Sequence, residues 1–436
     1  MHTPQPTPRT IVIAGGGFAG TTLARTLGRA LGRQLPPGWQ VLLLSEESYT
    51  TFNPMLAEVV GAAVFPEHVI APIREMLGGA RFIMGRVEQV DTARRTLRCA
   101  TLAGTREVAY DHLVLAFGQR ANLHLIPGLA EHALPLKLVG DAMHIRNRLL
   151  QRLAQIELTE GDAERRALGH VVVIGGGFSG VEVAGAVADF VRSARRRYPL
   201  IPDGMLRITL LHDQARLLPE LPPALGDAAA RSLRQRGVDV RLGARASRVA
   251  AHEVQLADGT LLATATVVCT TGVRANPLVG RLGLATQRGR IVTAVDGQVT
   301  GHTGLWALGD CAAMPNQADG QTSPPTAQFA VAQAVQMARN LVRRIEGRPT
   351  RPFSHRSRGM MATTGHHKGV AQAFGVPLTG LPAWLMWRGY YLSRMPTLGR
   401  KVRIWVEWTW SLFFPLDITH LRFTRTADID AGASQP

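Results

Sequence analysis

Two stretches of this chain, residues 11–20 and 171–180, repeat each other almost letter for letter: IVIAGGGFAG and VVVIGGGFSG. In each, four apolar residues predict a buried parallel strand, glycines at the G-x-G-x-x-G spacing predict a tight turn, and the following residues predict a helix. Gly15 and Gly175 would turn the chain, Gly17 and Gly177 would let a pyrophosphate approach the backbone, and Gly20 and Gly180 would let helix and strand pack closely. Phe18, Ala19 and Phe178 line the same turns. The helix that follows offers unpaired N–H groups and a partial positive charge to the phosphates. Glycine-rich turns of this kind also occur without a ligand, but two in one chain point to two dinucleotide sites.

The repetition extends beyond the loops. Short runs with a period of two between residues 81 and 118 predict a small antiparallel meander ending in a buried strand at Gly118, and the same order returns and ends at Gly272. From Gly17 to Gly118 is 101 residues and from Gly177 to Gly272 is 95, so a whole unit is duplicated. The expected fold is α/β, with two Rossmann-like dinucleotide-binding domains and a C-terminal amphipathic helical region. Residues 1–125 with 300–350 would form one nucleotide-binding domain and 126–299 the second. Residues 351–423 would carry small strands and amphipathic helices, and 424–436 a disordered tail. Within the first unit the strand over residues 40–44 leads to Ser45 and Glu46, and Glu46 is the candidate acid for the adenosine ribose. Helices are expected over 67–77, 141–167 and 324–345, and a strand pair over 351–376.

A length of 436 residues accommodates roughly three domains. Hydrophobic content of 46% with 19% charged residues describes a globular chain. The formal charge is +17, almost all of it from arginine, since Lys137, Lys368 and Lys401 are the lysines. Such a surface suits nucleic acid, anionic lipid or an acidic partner, but no nucleic-acid reading motif accompanies it, so nucleic acid is not an expected partner. Cys99, Cys269 and Cys311 are scattered, which argues against a redox dithiol and against a metal site. No apolar run is long enough to span a bilayer, and the first ten residues lack a signal-peptide core.

GGGFAG, VIGGGFSGVEVAG, TTGVRANP, ALGDCA and PPTAQFAVAQ, in this order, resemble the type II NADH dehydrogenases (NADH:quinone oxidoreductases), FAD enzymes with two dinucleotide-binding domains and the glutathione-reductase-like architecture. The resemblance implies a hydride passed from NADH to non-covalent FAD and electrons passed to a membrane quinone, without proton pumping. It assigns Gly15, Gly17 and Gly20 to the FAD pyrophosphate, Gly309 and Asp310 to the ribityl and phosphate region, and Gly175, Gly177 and Gly180 to NADH. Glu182 would reach toward the nicotinamide, and Ala327-Gln328 would lie beneath the flavin at the quinone pocket; Glu182 and Gln328 are the catalytic candidates. A soluble NAD(P)H reductase with another acceptor, or a flavin-binding redox sensor, are the alternatives.

Three departures from the family pattern stand out. Phe117 replaces a threonine of an A-T-G pattern. His212 stands where NADH-selective members carry an acid, which leaves NADPH open. Ala332 stands where a second glutamine is usual, with Gln333 one place later. The C-terminal residues 378–423 hold five of the seven tryptophans, and Val402, Trp405, Val406, Thr409, Leu412 and Phe413 follow a helical apolar spacing. With Arg394, Arg400, Lys401 and Arg403, this region would dock on an anionic membrane, its tryptophan rings at the interface, placing the protein peripherally on the cytoplasmic side. A homodimer is compatible with the sequence. His366, His367 and Lys368 read as an exposed basic turn.

Overall fold

The computed structural model describes residues 8–421. Strand β1 (Arg9–Ala14) turns through the first glycine loop into helix α1 (Phe18–Ala30), followed by β2 (Trp39–Ser45), the short α2 (Leu56–Val60), β3 (Arg81–Asp91), β4 (Thr96–Thr101), β5 (Gly104–Ala109) and β6 (His112–Leu115). The second unit runs β7 (Ala133–Pro135), α3 (Val139–Leu158), β8 (His170–Ile174), α4 (Phe178–Arg195), β9 (Arg207–Leu211), α5 (Pro223–Gln235) and β10 (Val238–Arg241). It continues with β11 (Ala246–Ala250), β12 (Glu253–Leu256), β13 (Leu261–Ala263) and β14 (Thr266–Cys269). The chain then returns to the first unit with β15 (Leu305–Ala307) and α6 (Ala327–Ile345), and ends in β16 (Gly359–Thr363), β17 (Gly369–Ala373), β18 (Val376–Gly380), α7 (Leu381–Arg394) and α8 (Leu398–Trp410).

Two sheets organise these elements. The first has the order β15-β6-β1-β2-β3-β4-β5 and the second β7-β14-β8-β9-β10. Their glycine-loop strands are parallel to both neighbours and, Arg9 apart, buried, as expected for runs such as IVIA and VVVI with helices on the faces. The duplication is not exact. In the first unit β3 is parallel to β2 and then antiparallel to β4, so the meander continues the main sheet. In the second unit β11-β12-β13 forms its own sheet. The chain segments leaving β6 and β14 pair with each other, Gln119–Ala121 antiparallel to Val273–Ala275.

Several expectations need correction. Residues 67–77 do not form a helix: two short 3-10 turns, Pro66–His68 and Ile73–Glu75, flank a strand, Ile70–Pro72, that pairs with Tyr49–Thr51. Pro72, in the interior of the expected helix, lacks the N–H that a continuous helix needs there. The strand pair over 351–376 is a three-stranded sheet reaching Gly380. The helix expected from residue 324 begins at Ala327, where the Thr326 hydroxyl accepts the Phe329 N–H. The tail expected to be disordered over 424–436 lies outside the described residues.

Candidate functional site

Both glycine loops take one backbone shape. Gly15 and Gly175 hold positive φ, 125° and 115°, and α1 and α4 start from Gly17 and Gly177 at φ −76°, ψ −170° and φ −77°, ψ −171°. A methyl group on Gly20 would lie 1.8 Å from the Gly15 carbonyl oxygen, and one on Gly180 1.7 Å from that of Gly175, so these glycines are demanded by the loop itself. Gly17 and Gly177 are different: a methyl group on either meets no protein atom within 4 Å. Neither helix has a side-chain cap or an acidic residue in its first turn. Among the described residues no side chain caps the first N–H groups of either helix, and the room beside Gly17 and Gly177 completes a cradle fitted to an anion and built twice.

Strand β15 lies beside β6 and delivers Gly309, at φ 72°, and Asp310 to the mouth of the first cradle. The turn is pinned from α6: the Gly309 N–H donates to Oε1 of buried Gln333 at 2.8 Å. Burial pushes the Asp310 carboxyl up, with Lys137 and Arg290 drawing it back. Arg290 is held by the carbonyls of Ala312 and Ser323, at 2.5 and 2.8 Å. Asp310 makes no hydrogen bond or ion pair among the described residues, so its oxygens are free to accept ligand hydroxyls. Ala19 lies against Gly309, and Phe18 packs edge-on to Phe52 at 5.6 Å. Glu46 is exposed and pairs with Arg120 at 3.2 Å. Gly118 and Gly272 hold positive φ where the corresponding strands end.

The two catalytic candidates touch opposite ends of one strand. At the start of β16, Gln328 accepts the Arg358 N–H at 2.9 Å, approaches His355 Nε2 at 3.1 Å, and its amide nitrogen lies 3.5 Å from the Gly359 carbonyl. At its far end, Glu182 Oε1 accepts the Thr363 N–H at 3.3 Å and the Trp387 indole N–H at 2.9 Å. Thr363 lies four residue steps along the strand from Gly359, roughly 13 Å. Glu182 is only 8% exposed, and burial pushes its carboxyl up to about 8, with the two hydrogen bonds opposing and Glu58 reinforcing. Neighbouring Glu58, on α2, is likewise pushed up by burial and accepts the Trp408 indole N–H at 3.2 Å.

At the end of β9 the expected acid is replaced by a buried imidazole. His212 Nδ1 accepts the Gly176 N–H at 3.2 Å, and burial lowers the ring's pKa, so it is a neutral plug under the loop. Ser45 fills the matching place under Gly16. The three cysteines are buried and free, their thiols pushed up by burial, Cys311 to about 11. The turn at His366–Lys368 is only partly the exposed basic turn expected: His366 is half-buried against Trp384, its N–H donates to Asp189 at 2.6 Å, and burial lowers it to about 4.

The C-terminal helices divide their tryptophans. Trp384, Trp387 and Trp408 are buried, which corrects the expectation that all five rings face outward. Trp405 is 58% and Phe413 77% exposed, with Val402, Val406, Trp410, Leu412 and Phe414 exposed beside them. Arg388 is buried, its guanidinium 3.8 Å from the Trp384 ring centre and 4.6 Å from that of Trp408. No described helix is long and apolar enough to cross a membrane.

A family model described as pyridine nucleotide-disulphide oxidoreductase matches residues 9–334. The chain is 30% identical over 406 residues to the demethylphylloquinone reductase of Synechocystis, covering 91% of this chain and 95% of that protein. It is 29% identical over 427 residues to a type II NADH:quinone oxidoreductase of Mycobacterium tuberculosis, covering 93% and 89%. The structure of Plasmodium falciparum NDH2 in complex with NADH shares the fold, with a TM-score of 0.87 at 17% identity, over 94% of this chain and 99% of that one.

Proposed function

Because this chain belongs to the pyridine nucleotide-disulphide oxidoreductase family, and within it to the type II NADH:quinone oxidoreductases, we propose that its two cradles divide the work of moving electrons from NADH to a quinone. The first unit, residues 1–125 with 300–350, holds FAD, and the second, 126–299, holds NADH. FAD, when bound, supplies the chemistry: it takes the hydride and gives up the electrons. The chain's own residues bind and orient. The loop Gly15–Phe18–Ala19–Gly20 and the N-terminus of α1 carry the FAD pyrophosphate, with Gly17 leaving room for it, and Asp310 accepts hydrogen bonds from the ribityl or ribose hydroxyls. Gly118 and Gly309 keep backbone close to the same group, and Glu46, released from Arg120, is the acid in reach of the adenosine ribose. Gly175, Gly177, Phe178 and Gly180 do the same for NADH, with Gly272 at the end of the matching strand. Glu182 meets the nicotinamide, and Ala327-Gln328 meets the quinone.

One observation carries this reading: Gly17 and Gly177 open onto empty space at the N-termini of two uncapped helices, while the remaining glycines of each loop are demanded by packing. The half-reactions test it. In the purified yellow protein, Glu182→Gln should slow flavin reduction by NADH at unchanged FAD content, and Gln328→Ala should slow reoxidation by a soluble quinone more than it slows reduction. A colourless protein that cannot be reconstituted with FAD would refute the reading of the first unit.

The outward stripe of α8, with basic Arg394, Arg400, Lys401 and Arg403, suits peripheral docking on the anionic cytoplasmic face of a membrane, from which a quinone would be reached. The stripe has no partner within the described chain, whereas the opposite face of α8 is used: Ile404 and Trp408 are buried, and Glu407 pairs with His68 at 2.9 Å.

A further inference from the structure

Among the described residues, both hydrogen bonds that the Glu182 carboxyl accepts come from the C-terminal layer: one from the Thr363 N–H on β16 and one from the Trp387 indole on α7. Neither nucleotide-binding unit contributes one. The indole is itself fixed. Trp387 is wholly buried, packs edge-on to Tyr391 at 4.8 Å between ring centres, and lies 6.2 Å from the ring of Trp408. Trp408 is tied to Glu58, and Arg388 covers its ring. The helix pair that presents the exposed stripe on one side thus holds a carboxyl of the NADH helix on the other.

We propose that Trp387 is a positioning residue for hydride transfer: its indole N–H engages one oxygen of Glu182 and so sets the direction in which the other is offered to the nicotinamide. The proposal rests on the reading that Glu182 meets the nicotinamide. An indole can hold a carboxyl in this way because it is a rigid, donor-only group with no acceptor to compete. Glu182 faces Glu58 from α2 and Tyr391 from α7, while β16 offers it only the Thr363 backbone N–H, and Arg388 faces Glu58. Burial and Glu58 both hold the Glu182 carboxyl protonated, so the Trp387 hydrogen bond is one of the two contacts favouring the ionised form.

The test is anaerobic stopped-flow reduction of the full-length, FAD-loaded protein by NADH as a function of pH. In wild type the rate should follow an ionisation near pH 8. Trp387→Phe keeps the ring but loses the donor, and should move that ionisation upward by about one pH unit. In a Glu182→Gln background the same substitution should shift nothing. If W387F fails to retain FAD, Trp387→Gln against Trp387→Met makes the same comparison between a donor and a donor-free side chain of similar length. An unchanged profile in W387F, with Glu182→Gln clearly slowed, overturns the role of Trp387 alone. A wild-type profile flat around pH 8 overturns it as well. A Glu182→Gln enzyme reduced as fast as wild type overturns the reading of Glu182 itself.

Discussion

Replacing Gln333 by leucine isolates one hydrogen bond whose loss reaches the FAD cradle. Gln333 is buried on α6, and its Oε1 accepts the N–H of Gly309, itself buried and held at φ 72°. Leucine fills nearly the same volume, so little cavity is made. What remains is a buried backbone N–H without a partner, which costs about 1–3 kcal/mol. Two limits bound where that cost shows. If the Gly309–Asp310 turn keeps its shape, the whole loss falls on folding and lowers the thermal midpoint of both apo and FAD-loaded protein by a few degrees. If the turn relaxes to pair the N–H elsewhere, Asp310 moves with it and FAD binding weakens by roughly 5- to 150-fold. Thermal unfolding of the apoprotein, combined with FAD titration, separates the two. If stability and FAD affinity both stay within about 0.5 kcal/mol of wild type, the size of an ordinary surface change, then the hydrogen bond does not hold the turn.

Gly17→Val should fold and lose FAD, because its side chain enters open space, whereas Gly20→Val should fail to accumulate, because it meets the Gly15 carbonyl; flavin absorbance and soluble yield distinguish them. Glu182 carries a proton in the folded chain up to about pH 8 but loses it near the ordinary 4.5 when unfolded. Across that window the folded state binds more protons, so stability should fall as pH rises, by about 1.4 kcal/mol per unit for one group; denaturation of Glu182→Gln should lack that part of the slope. His212→Glu should raise the preference for NADH over NADPH in kcat/KM, since a carboxylate there repels a 2′-phosphate and the neutral imidazole does not; equal ratios would place the adenosine ribose elsewhere. The protein should float with anionic vesicles at low salt, and Trp405→Ser with Phe413→Ser should abolish flotation while leaving flavin reduction intact.

Most of the architecture was legible because its signals are local. A run such as IVIA followed by glycines at fixed offsets specifies a strand, a turn and a helix within 20 residues, and the second copy made the duplication visible. The short elements between Pro66 and Glu75 were not legible, because an apolar spacing that suits a helix also suits turns and a short strand once Pro72 removes an interior N–H. The site was legible in the same uneven way. The glycines announce their role by spacing, but Trp387 lies 205 residues from Glu182 in sequence, and nothing in either neighbourhood signals the pairing.

Helix α8 shows why periodicity alone could not decide the C-terminal region. It is apolar on two sides: Ile404 and Trp408 form one line, and Val402, Trp405 and Val406 begin the other. A helical spacing finds both lines and cannot rank them, since either could pack on the protein. The deciding groups lie far off in sequence. Glu58 takes the Trp408 indole, and His68 and the Phe65 N–H take Glu407, at 2.9 and 3.2 Å. Polar anchors of this kind favour one rotation of the helix, because turning it by a residue would leave Glu58 and Glu407 buried without these partners, at about 1–3 kcal/mol each. The outer stripe is therefore left exposed by the inner contacts, and the carboxyl groups that orient α8 on the protein also determine which of its faces the proposed docking would use.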